Sequence, residues 1–316
     1  MSTSNSVDFN LTAQEIITQA YRKLGVIRTD TVASGSLYSH ALINLNAMIK
    51  SWQSMGIHLW TESLAYIFIT AGQSSYKFGG TSPDRIASES IKTELSADEA
   101  SGETVLSVDD STNMAAADVV GIELDDGTLQ WTTIVSVDSS TQITVTDALT
   151  DDASSGNNVY AYTSAVTQRP YKIKSMRLIQ DSGSEILMSK LSREQYLNIA
   201  NKASTAQPTQ YYVDRQRDHT RIFVYGTANH AKDRLVVSYS RLIEDFDNST
   251  DDQDFPQEWL EAMYYNLAVR LAPEHQKEGK IGSGPGSIAD MAMQTLRALA
   301  GDDQEDAVLT ITPNLY

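Results

Sequence analysis

The residue types that could do chemistry are sparse and poorly grouped. The five histidines, His40, His58, His219, His230 and His275, show neither H-x-x-x-H nor H-E-x-x-H spacing, so no metal-bearing helix face is predicted. The acidic run Asp245, Asp247, Asp251, Asp252, Asp254 superficially resembles a calcium loop. Such a loop starting at Asp245 needs Gly at its sixth position and Glu at its twelfth. Thr250 and Pro256 stand there instead, and a solvated acidic loop is expected. The run from Gly282 to Gly286 lacks the Gly-Lys-Ser/Thr ending of a phosphate loop, and reads as a linker between helices. There is no G-x-S-x-G nucleophile elbow. Cysteine is absent, which removes disulfides, thiol nucleophiles and Cys-ligated zinc or iron–sulfur centres. No catalytic, cofactor-binding or metal-binding constellation is predicted, and the chain is not expected to be an enzyme.

Binding is better signalled than catalysis. Arg215, Arg217 and Arg221 are interleaved with Tyr211, Tyr212 and Phe223. Cations that meet phosphates beside rings that stack on bases suit a nucleic acid. Two other readings stand beside this one. The arginines form the charged outer face of a strand pair, matched to Asp214 and Asp218, or they pair with an acidic patch on a neighbouring copy. The apolar residues Val308, Leu309, Ile311, Leu315 and Tyr316 close the chain after an acidic run. They have no obvious core of their own and are expected to dock on a partner or a neighbouring subunit.

The charge balance constrains the partners. The chain has 316 residues, 41 of them acidic and 24 basic, for a net charge of −17. So acidic a chain is poorly suited to tight duplex binding. The charge is also blocked: residues 93–168 hold 14 acids and no Lys or Arg, whereas residues 169–241 hold 13 bases and 6 acids. Blocks of this kind suggest modules that face different surroundings. The acidic module either is simply a soluble β body or repels a polyanion. No apolar run approaches the ~18–20 residues of a membrane helix, and the opening MSTSNSVDFN lacks the basic and apolar regions of a secretory signal. A soluble protein without membrane insertion is expected.

The elements that must position these residues are legible from periodicity. Thr12 and Glu15 have capping-box spacing ahead of Ile16, Ile17, Ala20, Tyr21 and Leu24, which predicts a helix ending at Gly25. Leu42, Leu45, Met48, Ile49, Trp52 and Met55 predict a second, over about 36–55. Residues 64–70 and 75–78 read as strands about a Gly-Gln-Ser turn, and five short strands follow between 104 and 162, with Asp126-Gly127 as a hairpin turn. A hairpin is expected over 170–188, a helix over 193–202, and an antiparallel meander from 211–213, 220–225 and 234–239. Pro256 opens a third long helix carrying Trp259, Leu260, Met263 and Leu267, and Ile288, Ala292, Leu296 and Leu299 mark a fourth.

The expected fold class is α+β. A four-helix bundle made by the N- and C-terminal segments carries a large inserted antiparallel β region that includes a small barrel or sandwich. The expected divisions are an N-terminal helical hairpin (1–60), connecting strands (61–94), an acidic barrel or sandwich (95–165), a mixed β meander with a short helix (166–243), C-terminal helices (244–301) and a tail (302–316).

Three stretches carry a resemblance: QAYRKLGV (19–26), LINLNAMIKSWQSMGIHLW (42–60) and FPQEWLEAMYYNLAVRLAPEH (255–275). With VVGIELDDGTLQWTTI (119–134) and YYVDRQRDHTRIFVYGTANH (211–230), the chain resembles the packaged-DNA stabilisation proteins of tailed phages. These are the head-to-tail adaptor, or tail accessory factor, family of short-tailed phages. The resemblance implies a homo-oligomeric ring, dodecameric to match the portal protein, docked under the portal. That ring would extend the DNA channel, help retain packaged DNA in transient contact with it, and offer a platform to tail nozzle or tail-fibre proteins. It implies location in the virion after assembly in the host cytoplasm. Two rival readings remain at this stage: a tail-associated cell-wall glycan hydrolase using an acidic pair, and a glycan-binding tail adhesin.

Overall fold

The computed structural model describes residues 9–56, 59–282 and 284–302. In chain order the elements are α1 (Ala13–Leu24), α2 (Gly35–Ser54), β1 (Glu62–Phe68), β2 (Ser75–Phe78), β3 (Ile86–Ala87), β4 (Ile91–Glu94), β5 (Val105–Ser107), β6 (Val119–Glu123), β7 (Leu129–Ser139), β8 (Gln142–Val145) and β9 (Asn158–Tyr162). There follow β10 (Lys172–Ile179), β11 (Glu185–Leu187), β12 (Ser189–Leu191), α3 (Arg193–Leu197), β13 (Gln210–Arg215), β14 (Thr220–Tyr225), β15 (Arg234–Ser240), α4 (Leu260–Leu271), α5 (Glu278–Ile281) and α6 (Ile288–Asp302). They divide into two compact units, one made of the described residues of 9–61 and 243–302, the other of Glu62–Leu242.

The helical unit is built around α4, against which α1, α2 and α6 pack. At the start of α1 the Thr12 hydroxyl accepts the Glu15 N–H at 3.4 Å while the Glu15 carboxylate accepts the Thr12 N–H at 2.9 Å, so two orphan donors are met. Gly25 ends the helix at φ +67°, a conformation open to glycine at little cost. Ile16, Ile17, Tyr21, Leu45, Met48, Trp52, Met263 and Leu267 share one core with Phe246, Phe255 and Trp259. The Trp60 ring centroid lies 5.0 Å from Phe255 and 5.3 Å from Trp259.

The other unit is all sheet but for α3. A five-stranded sheet in the order β11-β10-β15-β1-β3 and a four-stranded sheet in the order β12-β13-β14-β2 share a core of Ile67, Tyr76, Phe78, Met176, Tyr211, Ile222, Val237 and their neighbours. The third sheet, β4-β9-β6-β7-β8-β5, is a half-barrel. Two register shifts in β7, between Ile134 and Ser136 and between Val137 and Ser139, bend it as bulges do, and a bridge from Leu95 to Val108 joins its edges. Leu106, Val120, Ile122, Ile143 and Val159 fill it. An aromatic joint of Phe68, Trp131, Tyr160 and Tyr162 ties the half-barrel to β1. A Cβ on Gly121 would meet the Trp131 ring at 2.8 Å, so this strand lets the indole lie flat on its backbone only because it has glycine there.

The fold differs from the expected one. The protein is mostly β, with three sheets and six short helices among the described residues, and is not a four-helix bundle carrying a β region. The fourth helix is the physical reason: α6 buries Ala292, but Ile288, Leu296 and Leu299 are only half-buried, and loop residues Phe246 and Phe255 fill the core instead. The expected meander is also corrected, because β15 runs between β10 and β1 while β14 takes β2 as its outer neighbour. The two strands about the Gly-Gln-Ser turn likewise enter different sheets. The helix expected over 193–202 stops at Leu197, where the Lys202 ammonium donates to the Leu197 and Ile199 carbonyls at 3.0 and 2.8 Å and satisfies acceptors the helix would otherwise leave open.

Candidate functional site

The cations singled out in the sequence sit at one end of the β13–β14 hairpin. The register runs from Gln210 opposite Tyr225 to Arg215 opposite Thr220, and the Gln216 N–H donates to the His219 carbonyl at 2.9 Å to close the turn. Strand alternation then sorts the side chains. Tyr211, Thr220, Ile222 and Val224 are buried. Tyr212 and Phe223 take the opposite face, where Tyr196 of α3 stacks on them with ring centroids 5.3 and 5.2 Å away. The aromatic rings are therefore spent on the core and on each other, which leaves the cations as the chemically open part.

Arg221 continues the outer face, with Asp214 opposite it on β13 and Lys77 opposite it on β2. Arg217 is exposed in the turn. Arg215 has the other parity; its Nη1 donates to the Tyr171 carbonyl at 3.5 Å. Two further cations that the sequence did not bring to notice stand in this region, Lys172 on β10 and Lys190 on β12, and the charges of Arg215 and Lys172 both act on Lys190. Partial desolvation first, then the charges of Arg215 and Lys172, pull the Lys190 ammonium below its ordinary pKa. Burial is the larger cause, and the two like charges add to it.

The acids expected to neutralise the arginines are used elsewhere. Asp214 accepts the Gln216 side-chain amide at 2.7 Å. Asp218 pairs with the His219 ring at 2.8 Å, and that hydrogen bond holds its carboxyl below the usual range. Among the described residues, Lys172, Lys190, Arg215, Arg217 and Arg221 form no ion pair with a carboxylate, although in the same unit Lys92 pairs with Asp181 at 2.7 Å, Arg177 with Glu185 at 3.5 Å, Lys232 with Glu123 at 3.5 Å, and Lys174 with Glu62. The hairpin end is a cationic surface in want of an anion.

The remaining candidates are accounted for locally. His40 contacts Glu274 at 3.1 Å and His275 lies edge-on to Tyr21, while His58 lies outside the described residues. In the Asp245–Asp254 loop, Asp245 pairs with Lys50 at 2.8 Å, Asp251 accepts the Asp247 and Asn248 N–H groups, and Asp254 accepts that of Glu244. No group of three or more His, Asp or Glu among the described residues is arranged to hold a metal. A cavity of about 460 Å³ at Asp181, His230, Lys232 and Asp233 is lined by groups already engaged, since Asp233 accepts the Asp181 N–H and Asp181 pairs with Lys92. Val308, Leu309, Ile311, Leu315 and Tyr316 lie outside the described residues. No helix of the described residues is long and apolar enough to cross a membrane.

Comparison with known proteins adds the family. No curated protein matches the chain. Among solved structures, VP17, a capsid protein of bacteriophage P23-77, is 13% identical over 59% of this chain and 75% of that one, with a TM-score of 0.12, a superposition too poor to bear on the fold. The profile of the SU10 adaptor protein family matches residues 11–313, across both units. By that match the chain belongs to the SU10 adaptor protein family, phage head-to-tail adaptors, and is a structural protein of the virion.

Proposed function

We propose that the protein is one subunit of a closed, dodecameric ring seated beneath the portal protein at the head-to-tail junction. The ring continues the DNA channel, helps to retain the packaged genome during its transient contact with the wall, and presents a platform to tail nozzle or tail-fibre proteins. Assembly takes place in the host cytoplasm, before the tail is complete. The observation that carries this reading is the adaptor-family match over residues 11–313. The charge pattern is compatible with it: a wall rich in carboxylates repels a polyanion and lets it slide.

Within this reading the apolar residues Val308, Leu309, Ile311, Leu315 and Tyr316 anchor the subunit on the portal or on a neighbour. Negative-stain images and native mass spectra of the full chain mixed with portal rings test the whole. A rotationally symmetric collar is expected, and a complex without any oligomer of this chain overturns the ring. Deleting residues 307–316 should abolish attachment to portal-bearing capsids; attachment at the wild-type level dismisses the tail as anchor.

A further inference from the structure

The unpaired cations at the hairpin end are matched in kind by a surface of the same molecule. Residues 93–168, which make up most of the half-barrel, hold 14 carboxylates and no Lys or Arg. Glu103 and Asp109 there are exposed, and Asp110, Asp125, Asp126 and Asp138 are held below the usual carboxylate range by hydrogen bonds from Thr112, Ser154, Thr128 and Thr144. They stay ionised well into mild acid. We propose that the cationic patch of Lys172, Lys190, Arg215 and Arg217 docks on the acidic 93–168 stretch of the half-barrel of a second copy of this chain, forming the lateral contact of the oligomer. The proposal rests on the ring reading and names its seam.

Three physical arguments favour this occupant. First, half-barrels repel each other, so two copies cannot join acid to acid. A patch of the opposite sign elsewhere on the same unit allows head-to-tail pairing, the arrangement that closes into rings. Second, the five cations form no ion pair with a described carboxylate, and the charges of Arg215 and Lys172 add to the burial that disfavours the Lys190 ammonium, so an incoming carboxylate surface relieves a cost. Third, duplex DNA is the weaker occupant. The whole chain carries −17, which opposes its approach to a polyanion, and the rings of Tyr211, Tyr212 and Phe223 are occupied within the fold.

The test uses full-length chain assembled on portal rings from a mixture of normal and 15N-labelled subunits. A zero-length carbodiimide reagent joins lysine amines only to carboxylates they touch. Mixed-isotope isopeptide links from Lys172 or Lys190 to acids within 93–168 are expected. In parallel, the K190E/R215E/R217E variant should lose self-association by about tenfold or more, with unchanged far-ultraviolet circular dichroism. An intact oligomer whose links from these lysines go to the portal, or to other parts of the chain, overturns this inference and leaves the ring standing. The absence of any oligomer takes both readings down. Should the variant assemble normally but lose a salt-sensitive gel shift with duplex DNA, the patch belongs to DNA and the seam lies elsewhere.

Discussion

The half-barrel and the β13–β14 hairpin end carry opposite charge, and they use it in opposite ways. In the half-barrel the carboxylates do structural work close to home. Asp126 accepts the Thr128 N–H and hydroxyl at 2.8 and 2.7 Å, Asp125 accepts the Ser154 N–H and hydroxyl at 2.9 and 2.8 Å together with the Asn157 amide, and Glu99 accepts the Ser107 N–H. These bonds satisfy turn donors that lack strand partners, as short acidic side chains commonly do. The cations of the hairpin end satisfy little: Arg215 reaches one carbonyl and none of the five forms an ion pair with a described carboxylate. Most of the 14 acids thus have a local explanation that needs no partner, whereas the five unpaired cations do not. Composition alone ranks the two regions the wrong way round.

Both regions belong to one unit, and the aromatic joint is where it can be broken. Phe68 is 3% exposed, with ring centroids at 4.8 Å from Trp131, 5.6 Å from Tyr160 and 5.5 Å from Tyr162. Phe68→Ala removes a buried ring from the centre of this cluster and should cost about 3–5 kcal/mol. Denaturant unfolding followed by tryptophan fluorescence and by far-ultraviolet circular dichroism reads the effect. Coincident curves in the wild type and a second, earlier transition in the variant are expected. A loss below about 1 kcal/mol would mean that the half-barrel is held by something other than its rings.

A smaller effect separates the acids from the cations by pH. The Asp125 carboxyl is held below its ordinary value, first by the Ser154 backbone N–H, then by the Ser154 hydroxyl and the Asn157 amide. A group whose folded pKa is depressed contributes stability above its unfolded pKa, about 3.9, and loses it as pH falls through the folded value. Asp125→Asn should therefore unfold more easily than the wild type at pH 7. The difference should begin to narrow below about pH 4, as the unfolded chain takes up protons, and close only once pH has fallen below the depressed folded value. Thermal midpoints across that range check it. A gap that persists at low pH would assign the defect to lost packing rather than to lost charge-assisted hydrogen bonds.

How much of this was legible beforehand follows from which forces are local. The capping box of Thr12 and Glu15 and the strand periods of 119–124 and 158–162 are short-range and read directly from sequence. So did Arg221 and Asp214 as neighbours on one hairpin face. What could not be read is which strands meet. Nothing in the alternation of 75–78 says that Lys77 lies opposite Arg221, nor that β15 leaves the hairpin for another sheet. Lys172, Lys190 and Arg215 gather through pairing between distant segments. The reading that matched Arg215, Arg217 and Arg221 to Asp214 and Asp218 is not met by any ion pair among the described residues, for a local reason instead. In a turn this tight, Gln216 and His219 reach those carboxylates over one or two residues, and a guanidinium on a longer stem would have to lose more rotamer freedom to compete. The helical ends misled through their stripes: Ile288, Leu296 and Leu299 have the spacing of a core face, yet α6, which packs mainly on α4, leaves them only half-buried.

The smallest expected effect is the sharpest test of the comparison. If the hairpin cations serve the fold, truncating one destabilises it; if they are surplus to the fold, truncation is neutral or mildly favourable. Arg217 is exposed in the turn, with no hydrogen bond or ion pair to another described residue, and its charge adds to that of its cationic neighbours. Arg217→Ala should change stability by no more than about 0.5 kcal/mol, with any gain growing as salt is lowered, because screening shrinks the repulsion it removes. Urea midpoints of the free chain at two ionic strengths measure this. A loss of about 1 kcal/mol or more would show that the turn needs its arginine, and the unpaired cations would then have the same kind of local explanation as the acids.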